Sequence, residues 1–414
     1  MRALHLATRL AGTDGVSLEA AKVARVLAER GFEPVDCAGE VETPGAILVP
    51  EMHFRAPEAV ALGSRAFASD EPDPDLDVTL EAAAERLGER LAQVVRDVAP
   101  DLLVIQNAWA IPMQLPLAGA LARVVDATGL PTLSHEHDYA WERARFAVHR
   151  IGPYLQRYFP YDAPKVRHLA INSLAARELR ARRGLEATVV PNVMDFGAPM
   201  PGAATRERIR REVRARLELS DERRLILQPT RVVDRKGIEL AIELLARLED
   251  PRNVLVISHE SGDEGHATLA RLRAQADASG VDLRYAGPLF SPDRSGGRFA
   301  LEDAYHAADF VTYPSLYEGF GNALIETVLH RRAALVNRYP VYVADIAPAG
   351  LRFVEIDGAV DDAAVQRVAA LLDDPAARAE LAEHNHAIGA RAFGMPALRE
   401  ALEGPLASLG DALA

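Results

Sequence analysis

The chain has 414 residues, of which 49% are hydrophobic, and its formal net charge at pH 7 is −13. This length suits two domains of about 200 residues better than one compact core. The excess of acidic residues argues against binding to nucleic acid, which depends on clustered Lys and Arg, and offers no general attraction to anionic lipid.

Signals for export or membrane insertion are weak. The single cysteine, Cys37, excludes an intramolecular disulfide and favours a reducing compartment. No run approaches the roughly 18 apolar residues that a membrane span needs. The apolar start at Met1–Ala7 is soon followed by Arg9 and Asp14, which favours a first strand over a signal peptide. We expect a cytoplasmic protein without an integral membrane segment, and its oligomeric state stays open.

The first predicted unit is a strand, a glycine loop and a helix. Leu4–Ala7 is the strand, residues 12–15 form the loop, and the helix runs from about Ser17, as its N-cap, to Arg30. The loop lacks G-x-G-x-x-G, so it carries no dinucleotide fingerprint. Two interpretations stay open here: a plain turn in a parallel sheet, and a ligand-binding loop.

Polar side chains follow two later strands, which come after a helix predicted for Val78–Val98. The strand at residues 100–107 delivers Asn107 and Trp109 to a loop. The strand at residues 131–138 has a polar carboxyl end: His135, Glu136, His137 and Asp138. In open parallel sheets, ligands bind beyond the carboxyl ends of the strands. These side chains are therefore candidates for ligand binding.

Three functional interpretations compete for His135, His137 and Asp138: a metal site, an acid/base pair, or a hydrogen-bonding edge for a sugar. One strand end supplies too few ligands for a closed metal site, and the sequence has no matching cluster elsewhere. We therefore expect no metal here. Taken alone, His137 could equally be a structural histidine.

A small basic and aromatic group comes next in this acidic chain: Trp141, Arg143, Arg145, His149 and Arg150. Guanidinium groups pair well with carboxylates and phosphates, so one hypothesis is that this group binds an acidic acceptor. The alternative is an amphipathic helix with a solvated basic face, which the local pattern favours.

A domain boundary is predicted near residue 197. Before it, Val166–Ile171 and Thr188–Val190 are predicted strands, with a helix at Ser173–Arg183 between them. Glycine and proline then cluster at four positions: Gly197, Pro199, Pro201 and Gly202.

The second half repeats short apolar strands and helices of ten to fifteen residues, which predicts a second doubly wound domain. Its first strand, from about residue 223, leads to Arg231 and Lys236. Two cations at the carboxyl end of a strand can neutralise a diphosphate. The alternative is two ordinary surface cations in a loop.

The central stretch is another strand, loop and helix, at residues 309–329. Gly319 and Gly321 let the backbone approach a ligand, and a helix starting near Asn322 offers its N-terminus to an anion. Glu318 precedes the glycines and Glu326 lies about one turn into the helix, so they do not form a glycosidase pair across one bond. The alternative is an ordinary turn, with Glu326 on a solvated helix face.

Glu318 and Glu326, with seven residues between them, resemble the E-x7-E motif of retaining GT-B glycosyltransferases, especially family four. The resemblance extends along the chain, in order, through these residues: Gly15, His137, the Pro191-Asn192 link, Arg231, Lys236, Gly319 and Gly321. It implies an α/β GT-B fold of two doubly wound, Rossmann-like domains with a cleft between them. Residues 1–196 would form the acceptor-side domain with a crossover helix at 392–414, and residues 197–391 the donor domain.

The resemblance also implies a function in carbohydrate biosynthesis. A hexosyl group, glucose or mannose, would pass with retention from a nucleoside-diphosphate sugar to a hydroxyl of a soluble acceptor, and the basic group indicates an acidic one. No cofactor is implied, and no essential divalent metal. The alternatives are a sugar-nucleotide 2-epimerase of the same fold and a catalytically silent sugar-nucleotide-binding protein.

Roles for individual residues follow from the same resemblance. Glu326 would hold the nucleotide ribose, Glu318 the hydroxyls of the donor sugar, and His137 would contact that sugar. The catalytic set is His137, Glu318, Arg231 and Lys236. The donor-binding set is Gly15, Gly319, Phe320, Gly321, Asn322 and Glu326. The expected acceptor-binding set is Asn107, Trp109, Asp138, Trp141, Arg143 and Arg145.

Overall fold

A computed structural model describes residues 1–12, 14–259, 266–291 and 294–410 of the chain. Contacts divide the chain into two compact units. Unit 1 is Met1–Asn192 together with the residues from Ala397 onward, and unit 2 is Val193–Pro396. Among the described helices, none combines the length and the apolar character needed to cross a membrane.

Unit 1 contains a parallel sheet of seven strands, in the order β3-β2-β1-β4-β5-β6-β7. The strands are β1 Arg2–Ala7, β2 Glu33–Ala38, β3 Ile47–Leu48, β4 Leu102–Gln106, β5 Thr132–Glu136, β6 Val166–Ala170 and β7 Ala187–Val189. The helices are α1 Gly15–Glu29, α2 Pro57–Ala66, α3 Leu76–Val98, α4 Leu115–Thr128, α5 Gly152–Tyr158 and α6 Ser173–Arg183. The strand order reverses between β1 and β4, which places the topological switch point there.

Asp14, not Ser17, caps α1. Its carboxylate accepts from the main-chain N–H groups of Val16 at 3.1 Å and Ser17 at 3.3 Å, and the Ser17 hydroxyl donates to it at 2.7 Å. The predicted cap is therefore wrong by three residues. The reason is that a carboxylate at Asp14 can satisfy two N–H groups of the first turn and also complements the helix dipole.

The core of unit 1 includes Trp109, which was expected to bind the acceptor. Its side chain is fully buried, and its indole N–H donates to the main-chain carbonyl of Ala118 at 2.9 Å. A large apolar ring with its one polar atom satisfied inside the core has no surface to offer a ligand. The prediction for Trp109 is therefore wrong.

Unit 2 contains a parallel sheet of six strands, in the order β10-β9-β8-β13-β14-β15, and a separate pair, β11 and β12. The strands are β8 Arg224–Gln228, β9 Asn253–Ile257, β10 Asp282–Tyr285, β11 Phe290–Ser291, β12 Phe299–Ala300, β13 Phe310–Tyr313, β14 Ala334–Asn337 and β15 Val354–Ile356. The helices are α7 Ala203–Arg216, α8 Ile238–Leu248, α9 His266–Ala278, α10 Leu301–Ala307, α11 Asn322–Leu329, α12 Asp362–Asp373 and α13 Pro375–Ala392. Here the strand order reverses between β8 and β13.

The last helix, α14, is Met395–Ala407. Beyond Ala397 it belongs to unit 1, where Arg399 Nε lies 2.6 Å from Glu29 Oε2. Arg167 Nε also donates to Ser408 Oγ at 2.9 Å. Helix α14 thus lies within the predicted crossover segment, residues 392–414. The last residues of that segment, 411–414, lie outside the described residues.

Buried histidines make the stability of the fold sensitive to acid. Burial lowers the pKa of His5 and His306 to about 4 and that of His330 to about 3. In the unfolded chain a histidine titrates near 6.5. The unfolded state therefore binds more protons below pH 6.5, and the contribution present above that pH is lost as the pH falls toward 4.

We expect the free energy of unfolding to fall between pH 7 and pH 4.5, by up to about 1.4 kcal/mol per pH unit for each such histidine. Urea denaturation at several pH values measures this slope. His330→Gln should flatten it, because glutamine does not titrate. A profile that stays level down to pH 5 would contradict the account.

Candidate active site

The switch point of unit 2 brings Lys236 and Glu318 together, one of the predicted cations and one of the predicted carboxylates. The loop after β8 carries Arg231 and a 3-10 turn at Asp234–Lys236, and the loop after β13 carries Glu318. Lys236 Nζ donates to Glu318 Oε1, although the two residues are 82 positions apart in the chain. The carboxyl ends of β8 and β13 are neighbours in the sheet, which explains the contact.

Gly237 allows the two loops to approach each other. Its φ is +58°, and a Cβ at this position would lie 2.4 Å from the main-chain oxygen of Pro314. Next to it, the N–H of Leu316 donates to the carbonyl of Arg235 at 2.8 Å. Because only glycine fits this crossing, the contact between Lys236 and Glu318 depends on it.

Glu318 is held by three side chains and is only 6% exposed. Besides Lys236, it accepts from Arg235 Nη1 at 2.8 Å and from the Tyr313 hydroxyl at 2.9 Å. Burial opposes ionisation of Glu318, but the charges of Lys236 and Arg235 outweigh it and lower its pKa. Burial also lowers the pKa of Lys236, against the attraction of Glu318. The cluster is thus a buried ion pair with an extra cation.

The glycine loop before α11 is shaped by a buried tyrosine. Gly321 has a φ of +128°, and a Cβ there would lie 2.2 Å from the Tyr339 hydroxyl oxygen. That hydroxyl donates to the carbonyl of Phe320 at 2.8 Å. Helix α11 begins at Asn322, which confirms the predicted start. The proposed anion site at this helix N-terminus stays a prediction.

Glu326 lies on α11, but not on a solvated face. It is half-buried and accepts from the Tyr305 hydroxyl at 2.9 Å. Glu318 and Glu326 are therefore oriented by different tyrosines, Tyr313 and Tyr305. Two carboxylates that are held separately are better suited to contact different parts of an extended ligand than to act together on one bond.

The structure adds His259, which sequence reasoning missed. It follows β9, the neighbour of β8, and Ser258 Oγ lies 3.1 Å from its Nδ1. Burial and the nearby charges of Lys236 and Arg231 lower its pKa to about 4. The sequence alone could have indicated His259, because it is a polar residue just beyond the carboxyl end of a strand. Arg231 itself is exposed, in the loop after β8.

In unit 1, four of the predicted residues form one hydrogen-bonded group beyond the ends of β4 and β5. Asn107 Oδ1 accepts from the N–H of His137 at 2.9 Å, and Asn107 Nδ2 donates to Asp138 Oδ1 at 3.1 Å. Asp138 Oδ2 in turn accepts from Arg143 Nε at 2.7 Å. The amide of Asn107 thus fixes the backbone at His137 and the carboxylate of Asp138 at once.

His137 is uncharged at neutral pH. Burial and the charge of Lys22 lower its pKa to about 3. Its ring lies 4.5 Å from the buried ring of His135, and its Nε2 is 3.4 Å from Gln106 Oε1. A neutral imidazole of this kind can hydrogen-bond a sugar hydroxyl, but it is a weak proton acceptor at pH 7.

The described part of the chain holds no group of three or more His, Cys, Asp and Glu side chains that could bind a metal ion. The rings of His135 and His137 lie next to each other. The Asp138 carboxylate does not join them, because it accepts hydrogen bonds from Asn107 and Arg143. The Asp138 carboxylate therefore serves hydrogen bonding in this structure.

The basic segment after β5 is not an amphipathic helix. Residues 140–146 form two 3-10 turns, Ala140–Glu142 and Ala144–Phe146, because Trp141 stacks on Tyr139 at 4.5 Å and holds the chain against the core. Arg150 turns away from this segment, toward Ser69 and Asp73.

Two other predicted residues have simple surroundings. The Arg145 guanidinium lies over the Phe146 ring, 4.6 Å from its centroid. Gly15 is the first residue of α1 and lies next to the cap Asp14. Their assigned roles, in acceptor and donor binding respectively, stay predictions.

Comparison with known sequences points to glycosyl transfer. Residues 209–388 match a family described as glycosyl transferases group 1. Mannosylglucosylglycerate synthase of Thermotoga maritima is 32% identical to this chain, over 94% of this chain and 96% of the relative. The similarity therefore spans both units.

Solved structures with similar folds extend over almost the whole chain. Sucrose-phosphate synthase from Thermosynechococcus elongatus has a TM-score of 0.70 at 14% identity, with 99% of each chain covered. Anabaena HepE in complex with UDP and glucose has a TM-score of 0.66 at 15% identity, covering 99% of this chain and 100% of that one. At such identities these structures establish the fold, which is the predicted GT-B fold.

Proposed function

The chain belongs to the group 1 glycosyltransferases, and from this premise we propose that it transfers a mannosyl group from a nucleoside-diphosphate sugar to a hydroxyl of glucosylglycerate. The name of the Thermotoga maritima relative supports both the sugar and the acceptor. The observation that carries the enzymatic part is the meeting of Lys236, Arg235 and Glu318 at the switch point of unit 2.

The departing diphosphate is the charge that this site stabilises. When the sugar–phosphate bond breaks, negative charge grows on the diphosphate, and we assign Lys236, Arg231 and the first turn of α11 to it. Glu318 holds hydroxyls of the donor sugar, and Glu326, oriented by Tyr305, holds the ribose. Fixed donors of this kind contribute about 10² to 10³ in rate each.

We propose that transfer retains the anomeric configuration. Inversion requires a base that takes the acceptor proton, and Glu318 is unsuited because two cations lower its pKa. His137, with a pKa of about 3, is equally unsuited. The oxygen of the leaving phosphate then takes that proton, on the same face of the sugar.

The direct test combines the protein with UDP-, GDP- and ADP-mannose, each with glucosylglycerate, and follows products by mass spectrometry and NMR. The proposal predicts a product heavier by one hexose, with the donor's anomeric configuration. An isomerised donor without a conjugate would favour the epimerase instead. Nucleotide binding without any turnover would favour a silent binding protein.

We expect transfer to continue without divalent metal. Lys236 and Arg231 already supply the positive charge that a metal ion provides in other phosphate sites. Initial rates after treatment with EDTA should stay within about twofold of the untreated rate. Loss of activity that Mg²⁺ or Mn²⁺ restores would show that the two cations are not enough.

A further inference from the structure

Unit 1 contains a cationic cavity of about 540 Å³ beside the segment that follows β5. Its wall includes three aromatic rings, a histidine and three arginines: Trp141, Phe146, Phe159, His149, Arg143, Arg182 and Arg183. None of the described residues that line it is acidic. In a chain with a net charge of −13, such a lining favours an anionic ligand with an apolar face.

The three arginines differ in how they are held, and Arg143 pairs with Asp138. Arg183 donates to main-chain carbonyls, including those of Gln156 and Pro160, and the charge of Asp162 acts on it, so it is held in place and lines the cavity without pairing with the ligand. Arg182 lies over the Trp141 ring, 5.5 Å from its centroid. Its side chain is 53% exposed and pairs with the similarly exposed Glu178. An exposed pair of this kind is weak, so the guanidinium can turn to a ligand at low cost.

Two residues that line the cavity each have a polar atom that is buried without a hydrogen-bond partner among the described residues: Nε1 of Trp141 and Nδ1 of His149. Buried polar atoms are nearly always satisfied in folded proteins, by protein groups or by something bound. Both residues belong to the wall of the same cavity, so a small movement of either side chain would bring an unsatisfied polar atom to a ligand there.

A short hydrogen-bonded path connects this cavity to His137. It runs from His137 to Asn107, then to Asp138 and on to Arg143, over contacts of 2.9, 3.1 and 2.7 Å. Arg143 is the last member of the path and also part of the cavity wall. A ligand beside Arg143 is therefore linked to His137 through Asp138 and Asn107.

We propose that this cavity binds the acid end of the acceptor. The acceptor carboxylate pairs with the guanidinium groups of Arg143 and Arg182, and its carbon skeleton lies against the Trp141 ring. The reacting hydroxyl then extends toward His137. This inference rests on the proposed function, in which the acceptor carries a glycerate carboxylate, and it identifies the residues that select for that charge.

The test is calorimetric titration of glucosylglycerate into the free protein, together with initial-rate kinetics, for wild type, Arg143→Gln and Arg182→Gln. We expect each substitution to raise both Kd and KM for glucosylglycerate by about tenfold or more, because a charge-assisted hydrogen bond is lost. For Arg182→Gln, which is outside the hydrogen-bonded path to His137, the KM of the donor should change little. Glucosylglycerol, which has a hydroxymethyl group in place of the carboxylate, should bind wild type and variants equally weakly.

The matched control is Arg180→Gln on the same helix, because Arg180 is 72% exposed and pairs with Glu186 outside the cavity. It should behave as wild type. Arg182→Lys, which keeps the charge, should recover part of the affinity. Thermal unfolding checks that each variant is folded. If Arg182→Gln does not fold, the titration of Arg143→Gln decides whether the cavity binds the carboxylate.

Two failures are distinguishable. If both folded variants bind glucosylglycerate as wild type does, or wild type does not bind it at all, the cavity is not the acid subsite. If wild type binds glucosylglycerate but never glycosylates it, the proposed function fails while the cavity assignment is still decided by the titration.

Discussion

Replacing Lys236 by alanine should lower kcat by about 10² to 10³ while the acceptor KM stays within a few-fold of wild type. Lys236 is 8% exposed and contacts Glu318, so its charge acts from a fixed and largely dehydrated position. A preorganised charge of this kind stabilises the departing diphosphate more in the transition state than in the ground state. Steady-state kinetics with both substrates varied measures the two effects separately.

Two controls accompany this variant. Removing one partner of a buried ion pair can destabilise the fold by itself, so thermal unfolding of Lys236→Ala has to be measured alongside. Lys236→Arg keeps the charge and should retain more activity than alanine does. A variant with unchanged kcat and a raised acceptor KM would show that Lys236 does not serve the leaving group.

Gly321→Ala should have the second large effect, on stability and donor binding together. An alanine at a φ of +128° is strained, and its Cβ would lie 2.2 Å from the Tyr339 hydroxyl oxygen. Either the loop or Tyr339 must shift, and Tyr339 supports the carbonyl of Phe320. We expect the free energy of unfolding to fall by about 3 kcal/mol or more, with loss of nucleotide binding.

The matched control for this substitution is Gly358→Ala. Gly358 also has a positive φ, +73°, but no atom lies within 4 Å of its added Cβ. An alanine there has an unfavourable positive φ but no steric clash. Gly358→Ala should therefore lower the free energy of unfolding by about 1 kcal/mol and leave nucleotide binding intact. Equal effects of the two substitutions would mean that the contact with Tyr339 is unimportant.

The sequence predicted most of the individual elements. Helix α6 has the predicted bounds, Ser173–Arg183, and α11 begins at the predicted Asn322. These elements are encoded locally, by the spacing of apolar residues and by glycine and proline between them. The rule that ligands bind beyond the carboxyl ends of parallel strands then selected Asn107, His137 and Lys236.

Contacts between distant residues could not be predicted in this way. Arg235 and Tyr313 hold Glu318, but nothing in their local sequence distinguishes them from other loop and strand residues. Trp109 looked like a loop aromatic and is a core residue, because its indole N–H finds a partner on α4. Such outcomes depend on tertiary packing, which overrides local patterns.

The most direct test of the central claim is thermal unfolding of wild type and Lys236→Ala with UDP, GDP and ADP and their sugar conjugates. One nucleotide family should stabilise wild type, by about 2.7 kcal/mol at 100 times its dissociation constant. The gain should be much smaller for Lys236→Ala. If no nucleotide stabilises the folded wild type, the diphosphate site assigned to Lys236, Arg231 and α11 is wrong.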